Sequence, residues 1–331
     1  MENDHIYLDT SIYNDSGSLT PANIAITRAS PIIQIANEYD MTVARFDINC
    51  RNVPAILYTS NFRVSFVYNL NQYNAILVAP VNEYNPGWYQ RPHDFILAVD
   101  QAFTTCHTLL AVAEPALGLV IAPAMYITDN DTINIVFEQK YIDALTIKVY
   151  FSSALNDKID GFPLVMDSLA TISSIGNQLA YITNSVLNSS NIGLPIRFTA
   201  ITTKLYRYLN YSFNFTTLND IRSIFITSNL PIINENVINV GSGDQQGISR
   251  KSENRITDFL FFPSQPYDTR NRIVYIPTIY RMISMTGTET LTNINLTVFF
   301  ETYDKQAYLL KLIPNTSLSI KLLFRKKLFL K

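Results

Sequence analysis

The chain has 331 residues, enough for two or three ordinary domains or one large β-sandwich carrying an insertion. Apolar residues make up 47% and charged residues 16%, which excludes a disordered chain, and neutral polar residues, 31 asparagines among them, fill the gap and suit turns and strand faces better than solvated helices. A formal charge of −2 excludes a global electrostatic attraction to nucleic acid or anionic membrane, so any such contact must be local.

Residues 1–40 contain polar clusters such as Asn14-Asp-Ser-Gly-Ser18, with Pro21 and Pro31, and read as an N-terminal arm. The start, MENDHIYLDT, has no basic region followed by an apolar stretch, so no secretory signal is expected, and with only two, widely spaced cysteines the chain is read as folding in a reducing compartment. Period-two alternation, the strand signature, then begins. Ala44, Phe46, Ile48 and Cys50 share one face of a strand at 42–50, and Phe62, Val64, Phe66, Tyr68 and Leu70 mark a second at 62–70.

A helix is predicted over 92–113. Pro92 is tolerated in a first turn, Asp94 complements the helix dipole, and Phe95, Ile96, Val99, Phe103, Cys106 and Leu110 recur at three- and four-residue spacing. The apolar run from Leu109 to Ile127 contains Glu114, Pro115 and Pro123, so it reads as a helix end followed by a buried strand, and no membrane span is expected there. Further strands are predicted at 145–151, 221–228, 256–262, 272–280, 291–300 and 317–325, with a weaker helical pattern at 164–187. Many short strands separated by polar turns point to a sandwich or barrel.

Catalytic and metal-binding patterns are sparse. His93 and His107 stand fourteen positions apart on the predicted helix, about 21 Å along its axis, and cannot share a metal. Cys106 and His107 are adjacent, but helix neighbours point about 100° apart, so the pair reads as a buried thiol beside a histidine. Only one other cysteine, Cys50, is present, which leaves no disulfide framework and no C-x-x-C pair. The loop Gly241-Ser-Gly-Asp-Gln-Gln-Gly247 lacks the Lys-Ser/Thr of a phosphate loop, and Asp129-Asn-Asp131 lacks the spacing of a calcium loop. Sequons at Asn14, Asn188, Asn214 and Asn295 are read as chance in so asparagine-rich a chain. After Asp304 no acidic residue follows, while Lys305, Lys311, Lys321, Arg325, Lys326, Lys327 and Lys331 do. This basic C-terminus is read as a charged strand edge, or as a surface facing packaged DNA or an acidic partner.

Several segments carry a family resemblance. Pro31-Ile-Ile-Gln34 with Glu38-Tyr-Asp-Met-Thr-Val-Ala-Arg-Phe-Asp-Ile48 and Val53-Pro54 resembles the opening of penton (vertex, minor capsid) proteins of virophages and Polinton-like viruses. Arg91-Pro-His-Asp-Phe95, Ile147-Lys-Val-Tyr-Phe-Ser152, Ile226-Thr-Ser-Asn-Leu-Pro-Ile232, Ile256-Thr-Asp-Phe259, Tyr275-Ile-Pro277, Tyr280-Arg-Met-Ile283 and Ser319-Ile-Lys-Leu-Leu-Phe-Arg-Lys-Lys327 are similar to other parts of those proteins. The resemblance implies an all-β chain with a jelly-roll sandwich, working as a homopentamer at icosahedral five-fold vertices beside a double-jelly-roll major capsid protein. It implies no catalytic residue and no cofactor.

The expectation is therefore a jelly-roll β-sandwich base with an inserted, mainly β second module and one amphipathic helix. Its parts are an arm at 1–40, a first part of the base at 41–160 including helix 92–113, an inserted or upper module at 161–220, and the rest of the base at 221–331. The protein is expected to be a non-enzymatic structural component of the virion, made in the host cytoplasm, without cofactor or metal. Its partners are expected to be itself, the major capsid protein and packaged DNA, the last through Lys321, Arg325, Lys326, Lys327 and Lys331. The second reading is a carbohydrate-binding, lectin-like sandwich for host attachment, for which Trp88 is the best exposed-aromatic candidate.

Overall fold

The computed structural model describes residues 5–80, 87–127, 132–138, 147–159, 166–167, 186–188, 206–212, 218–232, 254–260 and 272–327. The chain divides into two compact units, one of residues 1–54 with 220–331 and one of residues 55–219.

The first unit is built from eight principal strands: β1 (His5–Tyr13), β2 (Asn23–Thr27), β3 (Tyr39–Asn49), β4 (Ile221–Ser228), β5 (Asn254–Leu260), β6 (Arg272–Tyr275), β7 (Asn293–Thr302) and β8 (Ser317–Lys326). Among the described residues they form two antiparallel sheets in the orders β1-β8-β3-β6 and β2-β7-β4-β5, with the short pieces Ile283–Ser284 on β3 and Ala307–Leu309 on β7 as fifth strands. Every connection except β4 to β5 changes sheet, and first and last strands pair. That order is a jelly roll, with the second unit inserted between β3 and β4. Alternation supplies the core: Leu318, Ile320, Leu322 and Phe324 of β8 are buried, as are Ile294, Leu296, Val298 and Phe300 of β7.

Three differences from the sequence reading have physical causes. Residues 1–40, expected as an arm, supply β1 and β2, whose alternation is disguised because their outward positions include Tyr7 and Tyr13. In β3 the inward phase does not run through Ala44. Lys321 of β8 lies opposite Arg45 while Leu322 lies opposite Val43, so Ala44 is the extra residue of a bulge, and Met41 and Val43 join Phe46 and Ile48 opposite the inward residues of β8. The strand expected at 272–280 ends at Tyr275, two residues before Pro277, which cannot donate to a ladder.

The second unit is mainly β. One sheet has the order Met166–Asp167, Lys148–Ser152, Arg63–Tyr68, Asn71–Ile76; the other has Val186–Asn188, Tyr206–Ser212, Thr132–Glu138, Ala124–Ile127. Helix α1 (Pro92–Ala113) runs over the 22 residues predicted and belongs to this unit rather than to the base. Asp94 accepts the backbone N–H of Arg91 and pairs with its guanidinium, fixing the start, and Pro115 prevents continuation beyond Glu114. Phe95, Ile96, Val99, Phe103, Cys106 and Leu110 are buried, and Phe103 packs against Phe66 and Phe151 at 6.1 and 6.0 Å between ring centroids. Each such side chain contributes about 1.5–3 kcal/mol. By length and composition α1 would also suit a membrane span, but half of its most apolar window is packed inside the unit, as in a core helix. The apolar run beyond it forms a 3-10 turn (Pro115–Leu119) and the buried start of the strand Ala124–Ile127, as expected.

Of the 164–187 segment read as helical, Met166–Asp167 and the start of Val186–Asn188 are strand. The rest, together with Asp129-Asn-Asp131, Gly241–Gly247 and Lys331, lies outside the described residues.

Candidate functional site

Of the basic residues singled out from the sequence, Lys321 and Arg325 fall on the outward face of sheet β1-β8-β3-β6, with Lys326 and Lys327 at the end of β8. Because Ile320, Leu322 and Phe324 point inward, strand geometry turns Lys321 and Arg325 outward. They do not stand alone there. Lys321 Nζ lies 3.2 Å from Asp9 and 5.0 Å from the ring centre of Tyr7. Arg325 lies 3.8 Å from Asp40, and Lys326 lies 4.0 Å from Glu38. Lys327 donates from its ammonium to the carbonyls of Asn37 and Met285 at 2.9 and 3.3 Å, and its backbone N–H donates to Glu38 O at 2.7 Å. Lys326 and Lys327, expected as an exposed tail, are therefore half-buried and tied to the segment that leads into β3.

The same face carries a second group that sequence reasoning missed. The Asp47 side chain, 7% exposed, accepts from Arg45 at 2.9 Å and from Arg272 at 2.5 Å, and Arg272 also donates to Ser317 at 3.3 Å. The sequence held the alternation that puts Arg45 and Asp47 on one face, but the pairing of β6 with β3 that delivers Arg272 spans more than two hundred residues. Six cations thus meet four carboxylates, Asp9, Glu38, Asp40 and Asp47, across one sheet face. Two positive charges are in excess, but each of these cations already has a carboxylate partner, so the group suits a polar protein surface better than a phosphate backbone.

The remaining candidates are structural. Cys106 is fully buried and its thiol donates to Val64 O at 3.3 Å; burial pushes its pKa up to about 12, the opposite of an activated nucleophile. His107 is buried beside it, and Cys50 is a buried free thiol. Trp88 is 6% exposed and its strand pairs with Ile56–Leu57, so it presents no open ring to a sugar. Among the described residues no three His, Cys, Asp or Glu side chains gather as a metal site. Exposed apolar side chains do gather: Val274, Ile276, Ile279 and Tyr280, from 44% to 84% exposed, crowd one seven-residue stretch at the edge of the sheet.

The family model described as Sputnik minor capsid protein V18/19 matches residues 77–326. The chain belongs to that family. It is a minor capsid protein of the virophage kind. The fold agrees over nearly its whole length with solved structures. A chain in the cryo-electron-microscopy structure of the Sputnik virophage superposes with a TM-score of 0.70 at 18% identity, covering 98% of this chain and 99% of that one. The crystal structure of the mavirus penton protein gives a TM-score of 0.58 at 14% identity with the same coverage. No curated protein matches the sequence.

Proposed function

We propose that the protein is the penton of a virophage-type particle, a homopentamer at the icosahedral five-fold vertices beside a double-jelly-roll major capsid protein, with a structural and not a catalytic role. It is made in the host cytoplasm and resides in the virion. The observation that carries this reading is the full-length likeness to the mavirus penton protein, second unit included. A low share of charged residues and the exposed apolar stretch around Ile276 fit a chain whose flanks are covered in a shell. Packaged DNA takes a minor place in the proposal. Lys321, Arg325, Lys326 and Lys327 already have carboxylate or carbonyl partners, and phosphates would compete with these. Lys331 extends the same basic segment.

Labelling the chain in intact particles tests the assignment. Label confined to the five-fold vertices supports it; label spread over the facets, or absent from particles, overturns it.

A further inference from the structure

The sheet β1-β8-β3-β6 has two edges of unequal character. β1 runs nine residues in unbroken register against β8, from His5 opposite Arg325 to Tyr13 opposite Ser317, and pairs with no other strand among the described residues. An edge of that length ordinarily carries a proline, a lysine or a bulge to keep other strands away, and β1 has none of these. Its outward side chains include Tyr7 and Tyr13, 55% and 58% exposed, and Asp9. The opposite edge is β6, whose described ladder is with β3 alone, and it continues into the exposed apolar stretch of Val274, Ile276, Ile279 and Tyr280. Arg281 follows, exposed and without a carboxylate partner among the described residues. One edge thus offers unpaired backbone, tyrosines and an acid; the other offers aliphatic side chains and a cation.

We propose that the β1 edge of one copy is extended by the β6 edge of the next copy around the ring, joining their sheets antiparallel. The proposal rests on the pentamer reading above. A cyclic ring needs a heterologous contact, one patch meeting a different one. Across its width the sheet is four strands deep and antiparallel throughout, the short Ile283–Ser284 strand pairing antiparallel with β3 on the same side as β6, so its two edges run in opposite directions and head-to-tail joining continues the antiparallel alternation without a break. An odd number of strands would have forced a parallel junction. The contact satisfies the outward N–H and C=O groups of β1 and covers Ile276 and Ile279 with the faces of Tyr7 and Tyr13, while Arg281 approaches the acidic edge that carries Asp9.

Hydrogen exchange of the peptide 5–13, measured on the full chain under free and assembled conditions, tests this. In the free chain about half of its amides, those bonded to β8, should be protected, and in the ring nearly all. The Ile276→Lys/Ile279→Lys double variant should raise the concentration for half-assembly about tenfold or more, roughly 1.4 kcal/mol per tenfold, while a Leu70→Lys control on the second unit leaves it unchanged. Five-copy rings in which β1 exchanges as in the free chain, or which the double variant still forms normally, overturn the edge contact and leave the pentamer reading standing. Absence of any five-copy species, in solution and in particles, overturns both.

Discussion

The side-chain oxygen of Asn52 accepts the backbone N–H of Ile313 at 2.7 Å, closing a contact across 261 residues of chain. The same oxygen accepts the Thr316 hydroxyl at 2.9 Å, also buried, and the Asn52 amide donates to Asn49 O at 3.0 Å, partly buried. The end of β3 is thereby tied to the turn that leads into β8. Replacing Asn52 with Ala leaves a buried N–H without its acceptor and should destabilise the first unit by about 2–3 kcal/mol, read as a lower denaturation midpoint with unchanged slope; a loss under about 0.5 kcal/mol would show that the turn is held by other contacts.

Asp47 and Asp9 lie on one sheet face but should differ sharply in weight. Asp47 is buried and bridges two arginines, whereas the Asp9 side chain is 72% exposed beside Lys321. Asp47→Ala should cost about 2 kcal/mol or more through unpaired arginines and lost hydrogen bonds, and Asp9→Ala should cost about 0.5 kcal/mol or less. Chemical denaturation of the two variants side by side, at low and at high salt, checks the ranking; equal losses would contradict it.

A two-residue turn joins Tyr68 to Asn71, and both its residues, Asn69 and Leu70, have positive φ, 47° and 68°. Asparagine tolerates that region; leucine does not. Leu70 is also 84% exposed, so its side chain repays little of the strain. Leu70→Gly should stabilise the second unit by about 0.5–1 kcal/mol, the reverse of the usual glycine penalty, and calorimetry of the full chain should show it.

Cys106 makes a pH prediction. Burial raises its thiol from 9.0 to about 12, so between these values the unfolded chain gives up the proton while the folded chain keeps it. Stability from this group is intact below about pH 9 and falls as pH rises further. Tyr89, raised for the same reason with its hydroxyl donating to Val78 O, acts in the same direction. Thiol reagents at pH 8 should leave Cys106 unmodified until the chain unfolds, and Cys106→Ala should soften the alkaline loss of stability. Rapid labelling of Cys106 in the native protein would contradict the packing described.

Where one strand face is buried and strand length exceeds about five residues, alternation was sufficient: β4, β7, β8 and α1 lie within two residues of where the sequence places them. A strand with solvent-facing tyrosines, β1, was not legible, and β3 was legible as a strand but not in its phase, which the bulge at Ala44 flips. The limits of the second unit were not legible, since no composition change marks Pro54 or Asn219. For the candidate site, the cations of β8 could be read from the sequence. Their neutralisation could not, because Asp9, Glu38, Asp40 and Asp47 reach them only through long-range strand pairing.

The central claim is a ring of five. Light scattering of the purified protein across concentration, repeated on protein released gently from particles, measures it directly. The account predicts a species of about 188 kDa, five times the chain mass of 37.6 kDa. A mass that stays at one or two copies in both preparations would contradict it.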